Sequence, residues 1–236
     1  MPIADVQLAL VEVPGLIGDG GISSPMVLLA ASSASSNWRS CAVQIIAGTQ
    51  SFASQTASRK TILGHTETLL GAASPDTVDL VNSVDVHLID EDQWLLSCDE
   101  GALAEGVNLA VLGGEVLQFA AVEPLGNGRF RLSHLLRGRS GTEWAIGTHQ
   151  AGEVFAIVQR DALRAVDLPQ WTIGSVVKAS ARNVGGALSE SPEITIAGPQ
   201  RDAIISPKGG DIVDDRARAS IEQILTAMRQ QGMIAS

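Results

Sequence analysis

Residues Gly113 to Glu153 read GGEVLQFAAVEPLGNGRFRLSHLLRGRSGTEWAIGTHQAGE, the most densely patterned run in the chain. Glu115 to Phe119 has the character of a strand. Pro124-Leu125-Gly126-Asn127-Gly128 is turn material, because proline fixes its own φ and Asn-Gly supplies positive φ at little cost. Arg129-Phe130-Arg131-Leu132 then alternates polar and apolar with period two, as a half-buried strand does. A β-hairpin is therefore expected here. It is followed by an arginine- and glycine-rich turn, Leu135 to Glu143, and then by Trp144 to Phe155. The guanidinium groups of Arg137 and Arg139 can form bidentate bonds to carboxylates, either within the chain or on a neighbouring subunit.

Outward from this block the chain continues as short strands. Val6 to Val13, Met26 to Ala31 and Trp38 to Ile46 read as strands, and Thr49 to Arg59 as a surface hairpin or excursion. Thr61 to Leu70 forms a further strand. Thr77 to Val81 and Val84 to Ile89 alternate strictly, with Asn82-Ser83 between them as a turn. Gly101 to Gly106 fits a helical turn or a loop. Downstream, Glu153 to Val158, Leu163 to Leu168, Ser175 to Arg182 and Glu193 to Ala197 complete the set. Short strands at roughly ten-residue spacing with Gly/Pro punctuation predict a mostly β body, sandwich- or barrel-like and antiparallel. The expected divisions are a β domain at 1–160 and a β-hairpin unit at 161–198, either part of the same body or a small second domain. A Pro/Gly linker at 199–211 leads to a C-terminal amphipathic helix at 212–231. Asp214 and Asp215 suit that helix's N-terminus and Gly232 its stop, with Ala217, Ile221, Ile224, Leu225 and Met228 on one stripe. An amphipathic helix needs a surface to bury against, on its own body or on another subunit.

Composition narrows the function. Hydrophobic residues make up 45% and charged residues 18% of 236 residues, which argues against disorder. No run of about 18 apolar residues suggests a membrane span. The first residues, MPIADVQLAL, lack a basic region and a cleavage motif, so no signal peptide is read. A net charge of −10 opposes nucleic-acid binding, which needs concentrated Lys and Arg. Between Thr61 and Gly128 there are twelve acidic residues and no Lys or Arg, and then come Arg129, Arg131, Arg137 and Arg139. This asymmetry points to charge complementarity within the fold or between copies. Cys41 and Cys98 show no metal spacing and are expected as free thiols, as suits a reducing cytoplasm.

The segment Leu132 to Phe155, LSHLLRGRSGTEWAIGTHQAGEVF, closely resembles a segment near the C-terminal end of a large tail-tip protein family. This is the baseplate megatron, or host-specificity, protein of alphaproteobacterial gene transfer agents and related long-tailed phages. The family pattern of a Glu-initiated strand ending in Gln-Phe, a Gly-rich turn, an LLRGR–GTEWA run and an H–AG–F run falls on Glu115–Phe119, Gly126–Gly128, Leu132–Ala145 and His149–Phe155. A weaker likeness extends back to about residue 24. The resemblance implies a virion tail protein assembled in the bacterial cytoplasm. Its implied partners are the tail hub and neighbouring tip proteins, with a homotrimer favoured. Family members are much larger, so the chain is expected to be either a small stand-alone tail protein or a fragment.

Catalytic readings fare poorly. Ser140 in GRSGT fails the G-x-S-x-G elbow, because the second glycine comes one place early. Ser140, His149 and Asp161 could be grouped as a triad only arbitrarily. His149 and Glu153 are spaced i, i+4 but lack the H-E-x-x-H pattern. Asp90-Glu91-Asp92 lacks any Ca²⁺-loop pattern and reads as an exposed acidic turn. With 3% aromatics and no Tyr, sugar-stacking platforms are few. Trp38, Trp94, Trp144 and Trp171 sit among apolar neighbours and are expected in the core.

No catalytic residue, metal or cofactor is therefore expected. The interaction residues expected are Arg137, Arg139, Glu143, Trp144, His149, Ile221, Ile224, Leu225 and Met228. The expected role is that of a structural tail-tip subunit. The alternative is a receptor- or carbohydrate-binding module at the distal tip, with a host surface receptor as partner. A cell-wall hydrolase ranks last.

Overall fold

Whether a strand alternates or runs continuously apolar reflects how many of its faces are covered, and that contrast organises the molecule. The structure, a computed structural model, describes residues 5–12, 25–36, 38, 40–159, 161–182, 188–197 and 221–226. In chain order the strands are β1 (Gln7–Glu12), β2 (Met26–Ser32), β3 (Cys41–Ala47), β4 (Gln50–Ala57), β5 (Leu63–Thr66) and β6 (Asp79–Leu88). The short helix α1 (Glu100–Ala104) precedes β7 (Leu109–Leu112), β8 (Glu115–Gly126), β9 (Arg129–Arg139) and β10 (Val154–Ile157). After them come β11 (Arg164–Asp167), β12 (Val176–Arg182), β13 (Leu188–Glu190) and β14 (Ile194–Thr195). A second helix, α2, occupies 221–226.

The fold is mostly β, with a sandwich and a barrel in one chain. One sheet has the order β1-β2-β11. A second has the order β13-β12-β3-β4, with β14 also paired to β12. The two share a core that includes Leu8, Leu10, Val27, Leu29, Val43, Ile45, Val177 and Ala179. Between β4 and β11 the chain leaves to build a closed six-stranded barrel, β10-β5-β6-β9-β8-β7. Its interior is filled by Val84, Val86, Leu88, Leu112, Leu117, Phe119, Phe130, Leu132 and Phe155, among others.

β3 alternates buried and exposed residues, with Cys41, Val43, Ile45 and Ala47 inward and Ala42 and Gln44 outward, because one face is solvated. β2 does not alternate: Val27 through Ser32 are all buried. Val27, Leu29 and Ala31 face the sandwich core. Leu28 and Ala30, with Ala9 and Val11 of β1, pack on the barrel's outer wall at Leu63, Val111, Val116 and Ala156. This seam is a stable joint, since covering a Leu or Val side chain completely is worth about 1.5–3 kcal/mol. Thr61 pins the point where the chain enters the barrel. Its N–H donates to Ala31 O at 2.8 Å and its Oγ1 accepts from Ala31 N at 3.3 Å.

The structure corrects the reading of residues 77–89. These are not two strands around an Asn82-Ser83 turn but the single strand β6. Its register against β9 shifts between Asp79 and Ser83, so Leu80 to Asn82 bulge outward. The Asp79 carboxylate accepts the N–H groups of Val81 and Asn82 at 3.1 and 3.0 Å, which satisfies the bulged backbone locally. Leu80 and Val81 are consequently 68% and 92% exposed. The 101–106 region resolves as the helical turn α1, capped by Asp99, whose carboxylate accepts from Ala102 N. Of the two readings of 49–59, hairpin or excursion, the structure shows the hairpin: β4 folds back antiparallel on β3, with a register shift between Ile45 and Ile46. The linker at 199–211 and most of the 212–231 helix lie outside the described residues. No helix among the described residues is long and apolar enough to cross a membrane.

Candidate functional site

The hairpin predicted at the centre of the sequence is β8–β9, and it carries the most unusual chemistry of the molecule into the barrel. Glu115, Leu117 and Phe119 lie two apart on β8, so all three point the same way. Leu117 and Phe119 fill the interior. Glu115 therefore enters the barrel at its end, where its side chain is fully buried. On β9, Leu132 and Leu135 fill the interior and Arg137 follows them. The β8–β9 register shifts between Val116 and Gln118, which leaves an extra residue on β9 next to Gly138. Gly138 has φ +59°, and a Cβ there would meet Glu143 Cα and the Ile146 Cδ1 at 2.9 Å. Only glycine fits this bulge.

Five charged or chargeable groups meet at this end. Arg137, wholly buried, donates from Nε to Glu115 Oε1 and from Nη2 to Glu115 Oε2, both at 2.8 Å. Its Nη1 donates to Gly71 O at 2.9 Å and to Asp79 Oδ2 at 3.2 Å. Glu115 also accepts the Gly138 N–H at 2.7 Å and lies 2.6 Å from His149 Nε2. His149 Nδ1 lies 2.7 Å from Glu153 Oε2, and Glu153 Oε1 accepts from Gln150 N at 3.1 Å. The order is Asp79, Arg137, Glu115, His149, Glu153, with alternating sign when His149 is protonated.

The neighbours favour that charge state. Burial opposes the imidazolium of His149, but hydrogen bonds to Glu115 and Glu153 outweigh it and raise the pKa above the ordinary value. Burial likewise opposes the Glu115 carboxylate, yet bonds from His149, Arg137 and Gly138 N hold its pKa below the usual range. Asp79 is also lowered: burial is overcome by hydrogen bonds from the Asn82 backbone and side chain, Val81 N and Arg137. Three carboxylates against two cations leave a surplus negative charge. The outermost member is Glu153, whose side chain is 24% exposed.

Glu153 also borders a cleft of about 340 Å³ at the seam between sandwich and barrel. One wall comes from Leu10 to Glu12 of β1 and from β14. The other comes from Gly113, Gly114, Trp144 and Val154. The two glycines belong to the β7–β8 turn. A Cβ on Gly113 would lie 2.7 Å from Glu153 Oε2, and one on Gly114 would lie 3.1 Å from Trp144 Cη2. The carboxylate and the indole thus rest on adjacent residues, whose Cα atoms are about 3.8 Å apart.

The expected interaction residues separate into groups. Arg137 and His149 are enclosed and bonded within the chain, while Arg139, Glu143 and Trp144 are exposed on the turn at the same barrel end. On α2, Leu225 is buried, whereas Ile221 and Ile224 are 42% and 59% exposed. Met228 lies outside the described residues. The other hairpin arginines also meet acids of their own chain: Arg131 forks onto Asp85 at 2.7 and 2.8 Å. Asp90 pairs with Lys60 at 2.6 Å rather than standing in an open acidic turn. Ser140, His149 and Asp161 are not assembled, because both His149 ring nitrogens face glutamates and Asp161 pairs with Arg59. The tryptophan expectation is corrected. Trp38 packs on the sandwich core, but Trp94, Trp144 and Trp171 are 57%, 49% and 53% exposed. Both cysteines are free.

Sequence reasoning passed over Asp79, Glu115 and Glu153 as site residues. The signal for Glu115 was present: in Glu115-Val-Leu-Gln-Phe119 the glutamate shares the phase of two core residues, and a buried carboxylate requires a cation.

A protein-family model described as Rcc01698-like, C-terminal, matches residues 61–156. That span runs from the Thr61 anchor through β10, and so corresponds closely to the barrel. No curated protein matches the chain.

Proposed function

We propose that this chain is a structural component of the tail tip or baseplate of a gene transfer agent or long-tailed phage, acting through subunit contacts rather than catalysis. The observation that carries the reading is the use to which the signature residues are put. Glu115, Arg137, Gly138 and His149 lie within the motifs that carry the tail-tip resemblance, and they close one end of a barrel packed with side chains. Residues spent on holding a fold suit a building block better than an enzyme. The match of residues 61–156 to the Rcc01698-like family supports the association with gene transfer agents. On this reading the chain sits in the virion tail after assembly in the bacterial cytoplasm. It contacts the tail hub and neighbouring tip proteins, with three copies favoured by symmetry.

Removing the gene and imaging the purified particles tests this. Particles lacking tip density, restored by supplying the chain, are the expected result. Complete, fully active particles without the chain would overturn it.

A further inference from the structure

Charge is divided unevenly between the two parts of the molecule. Residues 61–157 contain fourteen acids and four arginines and so carry the whole net charge of −10, while the rest of the chain balances at twelve of each sign. Arg131 and Arg137 are spent on Asp85, Asp79 and Glu115 of the same barrel. Asp92, Glu100 and Glu105 are exposed and form no ion pair among the described residues. All three lie on the connection between β6 and β7, which also carries an apolar stripe. Leu95 enters the barrel core there, while its neighbours Trp94 and Leu96 face outward, 57% and 70% exposed. The backbone beneath them is pinned: Cys98 N donates to Ala120 O at 2.8 Å, Val122 N to Ser97 Oγ at 2.9 Å, and Asn108 Nδ2 to Leu96 O at 2.8 Å. The Trp94 ring stands at a right angle to buried Phe130, centroids 5.1 Å apart, so its position is fixed although most of it is open. Val107, next to Asn108, adds another exposed apolar side chain. Asp92 precedes Trp94 by two residues and Glu105 precedes Val107 by two, so acids flank both apolar positions.

A fixed, exposed indole with aliphatic neighbours has the character of an interface anchor, and apolar surface left open on a filled barrel marks a contact. The charge decides the kind of partner. A second copy would bring either the same acidic barrel, which repels, or the remainder of the chain, which has no net charge. Nucleic acid would be repelled as well. We infer that the β6–β7 connection docks a basic segment of a different protein. That segment sets an apolar side chain on Trp94 and Leu96 and places Lys or Arg against Asp92, Glu100 and Glu105. The inference rests on the barrel's own surface and holds whether or not the chain belongs to a tail tip.

The test is an NMR titration of the ¹⁵N-labelled full chain, following the Trp94 indole signal assigned from Trp94→Phe. The probe is a capped heptapeptide of alternating lysine and leucine. One counterpart has glutamate for lysine, and another has serine for leucine. The expected result is a saturable shift with the first peptide that weakens as salt is added, and binding about tenfold weaker or less for either counterpart. Leu96→Ser, and Asp92→Asn combined with Glu105→Gln, should each weaken binding about tenfold; these side chains are exposed, so the fold persists. Sedimentation of the full chain without peptide covers the other occupant. No saturable shift, equal binding of the glutamate peptide, undiminished binding in the folded variants, or self-association that Leu96→Ser abolishes would overturn the proposal.

Discussion

Arg137 and Glu115 meet inside the barrel as a fork on a fork, with two parallel bonds of 2.8 Å and neither side chain accessible to solvent. Such a pair is costly to desolvate but costlier to halve, because the survivor is left as an unpaired buried charge. Arg137→Met should therefore destabilise the protein by about 3–5 kcal/mol. Arg139→Met, at an exposed position two residues away, should stay within about 0.5 kcal/mol. Urea unfolding of both variants checks the contrast. Equal, small effects would mean that the fork holds little together.

The same end of the barrel should make stability depend on pH in two directions. His149 has a raised native pKa, so its contribution is complete below the ordinary 6.5 and fades as pH climbs through the native value. Glu115 has a lowered native pKa, so its contribution is complete above the ordinary 4.5 and fades as pH falls through the native value. These two groups together favour the window between 4.5 and 6.5. In His149→Gln the decline on the alkaline side should flatten while the acid side persists. Unfolding midpoints measured across the pH range decide it.

Gly138 and Gly141 give a matched comparison of backbone strain. Both have positive φ, but only Gly138 has neighbours where a side chain would go. Gly141→Ala should cost about 1 kcal/mol from conformation alone, and Gly138→Ala about 2–3 kcal/mol or more once contact with Glu143 and Ile146 is added. Thermal unfolding should show that order. The reverse order would mean that the bulge can shift to make room.

A fragment of residues 61–158 should retain the β signature of the barrel yet self-associate. Leu63, Val111, Val116 and Ala156 lose the cover that β1 and β2 provide. Sedimentation of the fragment against the whole chain tests this, and a monomeric fragment would mean that the seam contributes little.

Local patterns were readable wherever one strand or one turn carried them. The β8–β9 hairpin follows from the Asn127-Gly128 turn and the flanking alternation, whereas residues 101–106 left helical turn and loop open until the Asp99 cap of α1 decided between them. β6 was misread because Asn82-Ser83 has turn composition. What keeps the strand going is the Asp79 side chain bonding back to Val81 and Asn82, an interaction invisible to composition. The exposed tryptophans were misplaced because neighbours in a strand or loop point to opposite sides, so an apolar context in sequence does not bury a ring. Barrel closure and the pairing of β3 with β12 had no local signature, since each joins segments far apart in the chain. For the site, Arg137 and His149 stood out by residue type. Their partners were hidden among twelve acids: Glu115 is distinguished only by sharing the phase of Leu117 and Phe119, and Asp79 only by the register of the folded strands.

The position of the barrel, spliced between β4 and β11, also dictates a schedule. As the chain leaves the ribosome, β1 to β4 emerge long before the strands that complete their two sheets. The barrel's pairings all fall within residues 63–157 and can form first. Until β11 and β12 arrive, the half-built sandwich has only the newly closed barrel to shelter the outer side of β2. An inserted unit that folds first would thus offer the outer face of β2 a packing partner during the interval when synthesis leaves the rest of the sandwich unfinished.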